Sequence, residues 1–125
     1  MYIAIDFDGT CVTHDYPNVG KDIGAVPVLK ALVNRGHKLI LYTMRGTDTI
    51  KPALDWFSAN GILLYGINYN PSQKRWTNSR KVYANLYIDD AGAGIPLLFD
   101  EELSDRPFVD WKILEIILKN QYKLL

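Results

Sequence analysis

Four short apolar runs alternating with stretches of helical period constrain this chain more than any other feature. Tyr2 to Asp6 (YIAID), His37 to Tyr42 (HKLILY), Ile62 to Ile67 and Leu86 to Ile88 read as buried strands. Between them, Ala25 to Arg35 carries Val26, Leu29, Leu32 and Val33 at helical spacing, with Pro27 in the first turn and Gly36 as the stop. Thr47 to Asn60 reads as a second helix that packs Ile50, Leu54, Trp56 and Phe57 and ends at Gly61. Gly9 to Gly20 is a loop or small flap, and NYNPSQKRWTNSR after Ile67 is a polar and aromatic connection. Pro107 to Gln121 reads as a terminal helix with apolar residues on more than one face. There is no internal repeat or low-complexity linker. Strand and helix in strict alternation predict right-handed βαβ units on a parallel sheet. Ligands of such sheets bind outside the carboxyl ends of the strands.

The length, 125 residues, fits a single domain spanning 1–125. A chain of this size buries roughly two thirds of its unfolded surface without staples. Fourteen basic residues balance fourteen acidic ones, which argues against a broadly basic nucleic-acid sleeve or a polybasic membrane anchor but leaves room for a local basic patch. A single cysteine, Cys11, excludes an internal disulfide and a Cys-only zinc site. No apolar run approaches the ~20 residues that span a bilayer, and MYIAIDFDGT has acids where a signal peptide has a basic region. The expectation is a cytoplasmic protein with no membrane partner.

Three strands end in reactive side chains: Asp6 with Asp8, Thr43, and Asp89 with Asp90. Paired carboxylates at the end of a buried strand crowd negative charge that needs a cation or a proton. Hard oxygen ligands in a partly open site favour Mg²⁺, which keeps waters and bridges to phosphate. A phosphate at that edge would meet a metal, a hydroxyl, backbone amides and a Lys, the components of phosphoryl transfer. Each group has a bland counterpart. An isolated Asp-x-Asp-Gly is more often a turn, and Thr43 alone could simply satisfy backbone groups.

In combination, IDFDGT at residues 5–10 resembles the first motif of the haloacid dehalogenase superfamily of phosphohydrolases. Thr43 after LILY, Lys81 in SRKVY and the Asp89-Asp90 pair follow in the order of that superfamily's remaining motifs. The resemblance runs from Met1 to about residue 95, and SRKVYANLYIDD is also similar to a small bacterial group of short members. It implies a three-layer Rossmann-like α/β fold with a central parallel sheet and no cap domain. It also implies a Mg²⁺-dependent phosphomonoesterase. By resemblance, Asp6 is the nucleophile that forms an aspartyl-phosphate, and Asp8 is general acid and base. Gly9 lets the chain turn out of the strand. Thr43 and the amide of Met44 hold phosphoryl oxygens, and Lys81 neutralises charge. The metal set is Asp6, Asp8 (through its backbone carbonyl as well), Asp89 and Asp90, with Asp90 the preferred direct ligand.

Several assignments carry alternatives. Lys74 competes with Lys81, which Val82, Tyr83 and Leu86 pin more firmly. Arg45 is either a bidentate substrate clamp or a solvated loop residue. His14 and His37 are not expected to bind metal, and His14 is a candidate substrate contact. Trp76, Tyr69 and Trp111 either stack a base or sugar or belong to the core. The apolar terminal helix is either wedged into the fold or forms a homodimer contact. About fifteen residues separate Asp8 from the first helix, and about a dozen separate Ile67 from Ser79, too few for a folded cap given the ~40 residues a small domain needs. An open site then takes a phosphorylated small molecule or macromolecule, nucleic acid included. The rivals are a receiver domain, whose acidic pair follows the first strand rather than the last, and a catalytically silent phosphate-binding or interaction module.

Overall fold

The first apolar run forms β1 (Tyr2–Ile5), and the chain returns through α1 (Ala25–Asn34) to β2 (Lys38–Leu41). The computed structural model describes all residues, 1–125. The chain continues through α2 (Ile50–Ala59) to β3 (Gly66–Ile67), a 3₁₀ turn at Gln73–Arg75, and β4 (Leu86–Ile88). A two-stranded antiparallel ribbon, β5 (Leu97–Leu98) with β6 (Phe108–Val109), precedes α3 (Trp111–Asn120). The four-stranded sheet has the order β3-β2-β1-β4 and every pair is parallel.

This order follows from handedness. The steps β1 to β2 and β2 to β3 run the same way, so right-handed crossovers place α1 and α2 on one face. The step from β3 back past β1 to β4 runs the other way and crosses the opposite face. Side-chain alternation agrees: Ile3, Ile5, Leu39, Leu41 and Ile88 join one core cluster with Leu29, Leu32, Phe57, Trp111 and Leu118 of the three helices. Ala4 and Ile40 are buried outside that cluster, beneath the irregular connection 68–85. The third layer is therefore this connection rather than helices. Neither it nor the loop 6–24 builds a cap.

Element bounds differ from the sequence reading where side chains intervene. The second helix starts at Ile50 instead of Thr47, because Gly46 to Thr49 form a turn in which Gly46 O accepts from the amides of Thr49 and Ile50. The third strand is two residues, not six; the Ile62 amide is spent on Phe57 O at the helix exit, and Leu63 is 75% exposed. The terminal helix starts at Trp111 rather than Pro107. Phe108 and Val109 pair with the ribbon, and the Asp110 carboxylate accepts from the amides of Lys112 and Ile113 as an N-cap. Its buried face is Trp111, Leu114 and Leu118, while Ile113 and Ile116 stay exposed. One face is wedged, not the whole helix. No helix is long and apolar enough to cross a membrane.

Candidate functional site

Strand order reverses between β1 and β4, and that crevice holds the carboxylates. The ladder continues past β1: the Asp6 amide donates to Ile88 O at 3.0 Å, which seats Asp6 beside Asp89. Oxygen atoms of Asp6, Asp89 and Asp90 all lie within 4.8 Å of one another, and each residue is half-buried. Thr10 knits the cluster. Its hydroxyl donates to Asp6 Oδ2 at 2.7 Å and accepts from the Asp90 amide at 3.0 Å. Thr10 is itself fully buried, its carbonyl accepting from Trp111 Nε1 at 2.7 Å. His14 Nε2 lies 2.9 Å from Asp90 Oδ2.

Burial pushes the Asp6 carboxyl up to about 8, against the lowering effect of the Thr10 hydrogen bond, and Asp89 and Asp90 push it further. Burial also raises the thiol of Cys11, whose Sγ donates to Asp6 O, with the charges of Asp6 and Asp8 adding to the rise. A site this crowded suits a hard divalent cation, for which three carboxylate oxygens at this spacing are an apt donor set.

Gly9 shows why the motif needs a glycine. Its φ is +78°, and a Cβ there would lie 2.0 Å from His14 Nε2 and 2.7 Å from Asp90 Oδ2. Phe7 points into the core, between Trp56 and Phe57 at 5.5 and 5.9 Å.

The Asp8 carboxylate, expected among the metal ligands, is not one of the three clustered groups. Arg45 holds it in a bidentate pair, Nε to Oδ2 at 2.9 Å and Nη2 to Oδ1 at 2.7 Å. The remaining guanidinium hydrogens go to Pro17 O, Asn18 O and Thr49 O at 2.9, 2.6 and 2.8 Å. All five donors are used and Arg45 is 2% exposed. Arg45 is thus neither a substrate clamp nor a solvated loop residue; it ties Asp8 to the flap and to the start of α2. Hydrogen bonding to Asp8 raises its own proton affinity further.

Thr43 follows β2 at the same edge, since Tyr42 N donates to Ile5 O. Its oxygen accepts from the Arg45 amide at 3.1 Å, leaving its O–H to donate elsewhere, and its amide donates to Asn68 Oδ1 at 2.8 Å. The Met44 side chain is 98% exposed, and its N–H donates to no protein group. Lys81 is not brought to the carboxylates. The ion pairs of the molecule are His14–Asp90, Arg45–Asp8 and Lys51–Asp55, so neither Lys81 nor Lys74 has an acidic partner. Lys81 is exposed, with Nζ 5.7 Å from the centre of the Tyr87 ring.

Thr10, His14 and Asn68 are the neighbours that reading the residues did not assign to the site. Thr10 closes the IDFDGT motif and Asn68 is the first polar residue after β3. His14 has no signal in its spacing, because its partner Asp90 is 76 residues away.

No family model matches the sequence, and no curated protein matches it. Among solved structures, the fold is similar to that of a conserved protein from Bacteroides thetaiotaomicron, with a TM-score of 0.78 and 37% sequence identity over 97% of this chain and 91% of that one. At that identity over nearly the full length of both, the chain belongs to the family of this conserved Bacteroides protein.

Proposed function

We infer that the protein is a phosphomonoesterase of the haloacid dehalogenase type that uses Mg²⁺. The observation that carries this reading is the convergence of Asp6, Asp89 and Asp90 at the carboxyl ends of adjacent strands. Mg²⁺ held by these three carboxylates would neutralise their charge and polarise a phosphoryl oxygen. Asp6, on the most rigid strand, attacks phosphorus, and the Asp6–phosphate bond forms as the bond to the ester oxygen breaks. Thr43 O–H and the Met44 amide donate to phosphoryl oxygens. Asp8 delivers the proton to the leaving oxygen and later takes one from the attacking water. Its pairing with Arg45 means that it turns toward the substrate only when that fork loosens. A silent phosphate-binding module is the second reading, favoured by the clamped Asp8 and the distant Lys81.

Turnover separates the two. With Mg²⁺ and p-nitrophenyl phosphate, the protein should release nitrophenol over many cycles, and excess chelator should stop it. Asp6→Asn should lower kcat by at least about a hundredfold while the circular dichroism spectrum stays native. Full activity in chelator removes the metal from this reading, and an active Asp6→Asn variant removes the covalent step.

A further inference from the structure

From Trp56 to Ile88 the chain contains no acidic residue, yet it carries Lys74, Arg75, Arg80 and Lys81. All four are exposed and none is paired. A protein of zero net charge has gathered cations on one segment, the connection that forms the third layer. The same segment displays aromatic faces: Trp76 is 62% exposed, Tyr69 46%, Tyr87 40% and Tyr83 37%. Covering the sheet explains why rings are present, since Tyr83 packs on Tyr2 at 5.7 Å. It does not explain why the largest ring stands outermost, nor why every charge nearby has one sign.

The surface is shaped and rigid. Two adjoining hollows of about 290 and 350 Å³ share Gln73, Thr77 and Ser79. Lys74 and Arg80 flank the first; Trp76, Lys81, Tyr83 and Tyr87 line the second. Buried Gln73 sets the floor, its amide nitrogen donating to Ser79 O and Lys81 O and its oxygen accepting from Tyr83 N. Asn70 adds a bond to Tyr83 O at 2.9 Å.

We propose that this groove binds single-stranded nucleic acid. Cations spaced among exposed rings match a strand that alternates phosphates with stackable bases. The groove presents no helix or ribbon that could enter a duplex groove, so single strands are favoured. The site lies apart from the clustered carboxylates, and binding at it requires neither metal nor turnover.

The test uses the metal-free full chain and a fluorescein-labelled single strand of about 12 nucleotides, within the ~4–16 that one small domain covers. Anisotropy should rise on binding at low salt and fall as KCl is added. Trp76→Ala should weaken binding at least about fivefold through lost stacking. Lys74→Ala with Arg80→Ala should flatten the log affinity against log salt slope by about 1.4, at ~0.7 per phosphate released. The proposal is overturned if the strand does not bind at low salt, if these variants bind like the wild type, or if a glutamate-rich peptide competes as well as unlabelled strand. Because the assay involves no catalysis, failure here is distinguishable from failure of the phosphatase reading.

Discussion

Arg45 is where residue-level reading of the sequence fell shortest. Its position two residues after Thr43 suggested the substrate, but its environment depends on Pro17, Asn18 and Thr49, which only the fold assembles around it. The planar fork supplies five donors that lysine cannot match. Arg45→Lys should therefore destabilise the protein by on the order of 2–4 kcal/mol, by leaving buried carbonyls and one side of Asp8 unsatisfied. Urea denaturation measures this, and a change within about 0.5 kcal/mol would show that the network contributes nothing. Asp6, Asp89 and Asp90, by contrast, were legible because each ends an apolar run, and a strand end in a parallel sheet has one destination. Gly9 was legible for a similar reason: a motif glycine announces a backbone turn, here one with no room for a Cβ.

At the scale of elements, the periodic segments were readable and their ends were not. The apolar cores of α1, β1, β2 and β4 lie where periodicity placed them, because burial of one stripe or one run fixes them. Boundaries moved wherever tertiary bonds competed. Asp110 is a good N-cap in any reading, yet the apolar Phe108 and Val109 before it suggested more helix, and their ribbon partners Leu97 and Leu98 carry no strong strand signal. The terminal helix gives a clean check of which face supports the fold. Leu118→Ala, at a fully buried position, should cost about 2–5 kcal/mol. Ile116→Ala, at 55% exposure, should stay within about 0.5 kcal/mol. Equal costs in urea titrations would mean that the outer face is covered in solution.

The whole molecule stores an electrostatic conflict at its centre. Asp6 binds its proton far more tightly in the folded state, at about 8, than at its ordinary 3.8. The unfolded chain thus releases that proton first as pH rises, so this group's contribution to stability falls between about pH 4 and pH 8. Without metal, Asp6→Asn should gain on the wild type by at least about 1 kcal/mol from pH 5 to pH 8, less than a tenfold change in proton affinity. Urea midpoints of both proteins at the two pH values decide it; a constant difference would show that Asp6 ionises freely. Added Mg²⁺ should raise the wild-type melting temperature more at pH 8 than at pH 5, because the cation relieves the charge that appears there. The sheet order has a kinetic consequence as well. The carboxylates meet only when β1 pairs with β4, and Ile3 lies opposite Leu86, 83 positions along the chain. Closing so long a loop is among the slowest steps available to a small domain. A growing polypeptide therefore completes its first three strands while Asp6 is still solvated and alone, and the charge conflict arises only with the last central strand to dock.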